Sequence, residues 1–195
     1  MFIDYITLLL LNMVAGYFLL GLYVLRGLDD PLHPRWTPGF AIVGLVAFVF
    51  GVHMVMTWPV PGAFNSAFGE MSVLYGVTFL GAALAIAHGW SLLPVTVFAF
   101  FSGMAAVVLG ARIVDLGLTQ QPTVTGIGFV LSGLGGVFAA PTLLYLRSNR
   151  PWRVLASLVL LGVAAIWASI GYYAYWNHME GFGQWVPLVM RGNTG

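Results

Sequence analysis

The sequence contains no cysteine and no lysine. Without Cys, disulfides, thiolate metal sites and Cys nucleophiles are excluded. Charge of either sign is scarce: seven Arg and six Asp or Glu make up 7% of 195 residues, where a soluble domain carries about 25%. A chain so poor in charge cannot cover a folded surface with groups that suit water. It also lacks a basic face for nucleic acid, so no nucleic-acid partner is expected. An ordinary soluble enzyme and a disordered chain are excluded on the same ground.

What the sequence has is apolar length. It is 60% hydrophobic and 15% aromatic, with a mean hydropathy of +0.94. A membrane-crossing helix needs about 20 mainly apolar residues. Six runs reach that length, over roughly Ile3–Leu25, Phe40–Trp58, Ala67–Ala87, Leu92–Ile113, Thr125–Leu146 and Val154–Trp176. None alternates apolar and polar residues as a barrel strand does. The expected fold is all-α, a six-helix transmembrane bundle forming one domain over 1–180, with a short extracytoplasmic tail at 181–195 and the lipid bilayer as its partner. The breaks are polar or proline-bearing: Arg26 to Pro38, Trp58-Pro59-Val60-Pro61-Gly62, His88-Gly89-Trp90, Gln120-Gln121-Pro122 and Arg147 to Pro151. The first run carries Asp4 where a signal peptide would be basic, and it exceeds the usual signal core of about 7–15 residues. It reads as a retained helix.

Arginine placement gives an expected orientation. With the amino terminus outside, Arg26, Arg35, Arg147, Arg150 and Arg153 face the cytoplasm and only Arg112 and Arg191 do not. The positive-inside rule then predicts an inner-membrane protein with both termini extracytoplasmic. Trp58, Trp176, Trp185, Tyr172, Tyr173 and Tyr175 would form the outer aromatic belt, and Trp36, Trp90 and Trp152 the inner one. Gly128, Ser132, Gly136 and Ala140 recur every fourth residue along the fifth helix, and Ala106 and Gly110 do so on the fourth. Such stripes let helix backbones approach closely, within the chain or in a homo-oligomer or against other membrane subunits. No internal repeat of the transporter kind is present.

Most charges lie in loops, but Glu70 and Arg112 fall within helices, and Asp115 lies at i+3 from Arg112. Asn65 or Ser66 is the expected cap ahead of Glu70. At about 1.5 Å of rise per residue, His53 is roughly 8 Å inside the end of its helix and Glu70 about 6 Å inside the start of the next. His53, Glu70, Arg112 and Asp115 are expected to share a layer in the outer leaflet, with His178 and Glu180 at its rim. Ionisable groups at such depth point by default to a functional site. A structural ion pair between Glu70 and Arg112, with His53 bonded to a carbonyl, is the competing reading.

The chemistry of this set suits more than one ligand. His53, Glu70 and Asp115 are a coordination set for a transition metal such as Zn or Fe, with Cu favoured only if the nearby Met54, Met56, Met71 and Met179 contribute. Arg112 would hold the carboxylates or an anionic ligand, and His178 would complete the set or pair with a charge. A carboxylate beside Arg and His would also relay protons. Haem is disfavoured, because His33 lies in a Pro-rich loop and His178 past its helix, so neither the outer pair His53 and His178 nor the inner pair His33 and His88 is well placed. Hydrolase elbows and phosphate loops are absent.

Phe50-Gly51-Val52-His53, Thr57-Trp58-Pro59-Val60-Pro61-Gly62, Asn65 and Phe68-Gly69-Glu70 resemble the signature of a family of small bacterial and archaeal integral membrane proteins catalogued as a domain of unknown function. The resemblance implies a multi-pass membrane protein whose second and third helices carry the distinctive polar residues, and no activity. The expected function is a membrane protein with a polar outer-leaflet site for a metal ion or small ligand, in a transport, redox or metalloenzyme role. The alternative is an accessory subunit of a larger membrane complex.

Overall fold

The structure, a computed structural model, describes residues 4–183. Among them there is no strand. Six helical segments run up and down: α1 (Tyr5–Arg26), α2 (Thr37–Thr57), α3 (Asn65–His88), α4 (Leu93–Leu116), α5 (Pro122–Val137 with its bent continuation Ala139–Leu146) and α6 (Arg150–Gly181). Five are long and apolar enough to cross a membrane, and six if the bent α5 counts as one span. Antiparallel alternation gives the bundle two ends. One carries the start of α1 and is called the Asp4 end; the other carries the start of α6 and is called the Arg153 end.

Three points differ from the sequence expectation, each for a local reason. The fifth run is not one straight helix but bends by 40° after Val137. Pro141 lacks the amide that would bond the Val137 carbonyl, and its ring crowds that carbonyl. The sixth helix starts four residues early, because Asn149 accepts the Trp152 amide at 3.0 Å as a cap and Pro151 fits the first turn. Asn65 does not cap α3. Fully buried, it bonds Val60 and Gly62 and braces the preceding loop, while α3 opens as a π-turn.

Packing is strongest within three pairs, α1 with α6, α2 with α3, and α4 with α5; looser seams join α1 to α2, α3 to α4 and α5 to α6. The six helices therefore close a ring. Glycines set the tight pairs. A Cβ on Gly133 would lie 2.4 Å from the Gly103 carbonyl oxygen, and one on Gly76 would lie 2.5 Å from the Phe48 amide nitrogen. Close backbone approach maximises van der Waals contact, the main driving force once lipid surrounds the helices. The predicted stripe on the fifth helix divides between two neighbours. Gly136 packs on Ala99 of α4, while Gly128 and Ser132 meet Trp167 of α6.

An aromatic core fills much of the Asp4 half of the ring. Phe68, Phe129 and Trp167 stack edge to face across it at 5.5 and 5.4 Å, with Leu9, Met54 and Ile113 packed around them and almost wholly buried. Trp167 bonds Ser132 at 3.1 Å through its indole N–H, so the central polar group of this plug is satisfied.

At the Arg153 end, Arg153 donates to the Val24 and Leu25 carbonyls of α1 at 2.8 and 2.7 Å and also pairs with Asp29. Those carbonyls are among the four that α1 itself leaves unpaired. Charge is segregated between the ends. Arg26, Arg35, Arg147, Arg150 and Arg153 share one end with Asp29 and Asp30; Asp4, Glu70, Asp115 and Glu180 share the other with Arg112. Trp185, Arg191 and the tail beyond Gly183 lie outside the described residues.

Candidate functional site

The first turn of α1 gathers two histidines at the Asp4 end. Asp4 accepts the Thr7 amide at 3.4 Å as a helix cap, and its other oxygen lies 2.5 Å from Nδ1 of His178. The Thr7 hydroxyl lies 3.2 Å from that same nitrogen. One residue along, the Tyr5 hydroxyl lies 2.9 Å from Nδ1 of His53, and the two rings stack at 5.4 Å. The Thr57 hydroxyl donates to the His53 carbonyl at 2.7 Å. These bonds tie α2 and α6 to the start of α1.

The other expected site residues have partners of their own. Glu70 is exposed and accepts from the Ser66 hydroxyl at 2.9 Å. Arg112 pairs with Asp115 one turn away on α4, both side chains more than half exposed, and such a pair contributes about 0–1 kcal/mol. Among the described residues no three His, Asp or Glu side chains are grouped as a metal ion would need. His53, Glu70 and Asp115 thus stand in three separate arrangements. Asp4 and Tyr5, which complete the histidine contacts, gave no signal in sequence, because both precede their partners by dozens of residues.

Space opens in the other half of the ring. A cavity of about 430 Å³ is lined by all six helices, including Tyr17, Phe79, Ala82, Ala99, Ser102 and Leu160. Its wall is almost wholly apolar, relieved by hydroxyls such as those of Thr78, Ser102 and Ser132, and no charged side chain lines it. The aromatic plug lies between it and the Asp4 end. Toward the Arg153 end it meets a polar vestibule of about 510 Å³, with Tyr23, Leu28, Leu92 and Leu143 shared between the two walls.

The vestibule is built from loops and helix ends. His33 bonds the Tyr23 hydroxyl through Nε2 at 2.5 Å. Asp30 is held by Arg35 and the Trp36 indole, both at 2.6 Å, and by the Leu32 amide at 3.0 Å. Burial pushes the Asp30 carboxyl up, but the Trp36, Leu32 and Arg35 donors together bring it below its ordinary range. Arg147 reaches Asp29 at 3.4 Å and the Leu28 carbonyl. Trp90 and Ser91 complete the rim. None of His53, Glu70, Arg112, Asp115 and His178 lines either space. Small residues such as Ala82, Ala99 and Ser102 were the available sequence signal, but small residues mark tight helix packing just as well.

No curated protein and no solved structure matches the chain. One family model does, over residues 1–181, in keeping with the signature at Phe50–Glu70. On that match the chain belongs to the family described as Protein of unknown function (DUF981).

Proposed function

We propose that this protein is a multi-pass inner-membrane protein that binds a small, largely apolar molecule inside its helix ring. The observation that carries the reading is the cavity of about 430 Å³ walled by all six helices. Its size lies within the range of about 300–1,000 Å³ usual for small-molecule sites, and its wall of apolar groups with a few hydroxyls is the lining such sites have. Nothing in that wall is a carboxylate, imidazole or guanidinium, so the wall supports binding or carriage more than acid–base catalysis. Transport of the bound molecule is the natural extension.

Segregation of five Arg to the Arg153 end supports placing that end in the cytoplasm and both termini outside. Because the chain lacks Cys, single replacements report orientation directly. Ser148→Cys should be shielded from an impermeant maleimide in intact cells, and Gln120→Cys should react.

The ligand reading is tested by purifying the protein into amphipol, extracting it with organic solvent and weighing what is released. Wild type is expected to release one compound in near-stoichiometric amount. A doubly filled cavity, Ala82→Leu with Ser102→Leu, is expected to release little. Equal release from both proteins, or none from either, would overturn the reading.

The metal form of the outer-leaflet site, with Zn, Fe or Cu on His53, Glu70 and Asp115, draws on residue type alone, since each of the three has a separate partner. Elemental analysis of wild type beside His53→Ala tests it. An accessory-subunit role draws on exposed apolar side chains, which a bilayer covers equally well.

A further inference from the structure

Cavity and vestibule share Tyr23, Leu28, Leu92 and Leu143; the first wall is almost wholly apolar and the second is half polar and carries the charged groups. We infer that they take a single-chain amphiphile, with an acyl or isoprenoid tail in the ring and an anionic carboxylate or phosphate head at His33, Ser91 and Arg147. This rests on the reading that the cavity binds a ligand.

The sign of the head follows from which hydrogen-bonding groups remain open. Both vestibule carboxylates are engaged: Asp30 by Arg35, Trp36 and Leu32, and Asp29 by Arg153 and Arg147. Arg35 and Arg153, which do not line the vestibule, each pair with one of its two carboxylates, so Arg147, the guanidinium on its wall, carries the positive charge in excess. Arg147 is the guanidinium that is free to respond. Its side chain is 54% exposed, its Asp29 contact is long at 3.4 Å, and Nη1 has no partner among the described residues. Ser91 uses its oxygen to accept the Leu93 amide at 3.2 Å, which leaves its hydroxyl hydrogen to donate. His33 bonds only Tyr23 among the described residues. When the Tyr23 hydroxyl donates to Nε2, the ring proton sits on Nδ1, which becomes a third donor. Arg147 and Ser91 are therefore open donors, joined by His33 in that tautomer, and an anionic oxygen is the acceptor that satisfies several at once. An uncharged alcohol head would engage fewer of them and leave the excess charge unpaired.

The tail follows from the cavity. Its wall would desolvate a hydrocarbon chain but offers no partner for a second charge. Tyr17, Met71, Tyr75, Leu131 and Leu160 line its end toward the aromatic plug. A two-headed or wholly polar molecule therefore does not fit.

The test is direct binding to the amphipol-held protein, by calorimetry, of three twelve-carbon probes: dodecanoate, dodecyl phosphate and dodecanol. At least one anion is expected to bind at one per chain and at least tenfold tighter than the alcohol. Comparing the two anions tells a carboxylate head from a phosphate head. Arg147→Gln and His33→Gln should each weaken the anion about three- to tenfold while leaving dodecanol unchanged. His33→Gln serves where loss of the Arg147 contacts destabilises the bundle. Equal binding of the alcohol and the anions, or no effect of either variant, would overturn the anionic head and leave the cavity reading standing. If no probe binds and the solvent extract is empty, the cavity reading itself fails, and this inference with it.

Discussion

Arg153 and Asp29 join the first turn of α6 to the turn that follows α1, and Arg153 does so while donating to two terminal carbonyls of α1. Only 11% of its side chain is exposed against 57% for Asp29, so the guanidinium is shielded while its carboxylate partner stays largely in water. Replacing it with Met removes the carbonyl donors and leaves Asp29 to Arg147 alone. The expected loss is about 1–3 kcal/mol, the range for losing hydrogen bonds from a charged donor. Lys should recover part of it, since one ammonium cannot reach both carbonyls and the carboxylate. Thermal unfolding in detergent reads this. Arg150→Ala, at an exposed arginine without an ion pair among the described residues, is the comparison and should be near neutral.

The hydroxyl of Tyr75 is buried without a partner among the described residues, against Gly16. A Cβ on Gly16 would lie 1.7 Å from that oxygen. Tyr75→Phe is expected to be neutral or stabilising by up to about 1 kcal/mol, because it removes a buried polar group that nothing satisfies. Gly16→Ala should cost about 1–3 kcal/mol through overpacking. The two together should cost less than their sum, since the phenyl ring lacks the atom that collides. Strict additivity in a double-mutant cycle would refute the contact.

Two glycines in the same bundle are expected to respond with opposite signs. Gly133→Ala places its Cβ against backbone of α4, which cannot rotate away, and should cost about 2–3 kcal/mol. Gly162 has nothing within 4 Å of its added Cβ. Alanine there should stabilise α6 by about 0.5–1 kcal/mol. Paired melting curves decide the matter.

Acid stability provides a further check on the Arg153 end. The folded Asp30 carboxyl lies below its ordinary value of 3.8, so its contribution is fully present above that value and is lost as pH falls through the lower folded value. Between pH 7 and 5 it should not vary. Asp30→Asn should melt below wild type at pH 7, and the gap should narrow as pH falls below 3.8 and close once pH passes under the folded value. A constant offset across that range would contradict the role given to the Trp36 and Arg35 contacts.

Helices were legible in this sequence because apolar length and proline punctuation are one-dimensional signals. Partner choice was not. In α2, Val43 is 4% exposed and its neighbour Ile42 is 63% exposed, yet both are β-branched and apolar. A face against lipid and a face against protein ask for the same side chains, so periodicity cannot sort them. The bend in α5 was in principle readable from Pro141. The polar residues at the Asp4 end were visible by depth, but their partners were not, since Asp4 and His178 are 174 positions apart. The cavity was invisible for a different reason: it consists of volume that Ala82, Ala99 and Ser102 leave empty, and absence of bulk has no signature of its own.

The closed ring also dictates an order of assembly. Partners α2 and α3, like α4 and α5, are neighbours in the chain and can pair as soon as both have left the ribosome. Helix α1 has only the looser seam to α2 beside it in the chain. Arg153 reaches Val24 across 129 positions of sequence, so the first helix to be made waits for the last. Until α6 arrives the bundle is an open crescent, with Gly21 and the α1 carbonyls facing lipid or a chaperone. Closure by α6 is then the single late step that seals both ends and encloses the cavity together, and a chain cut before Asn149 should insert five spans without completing the protein.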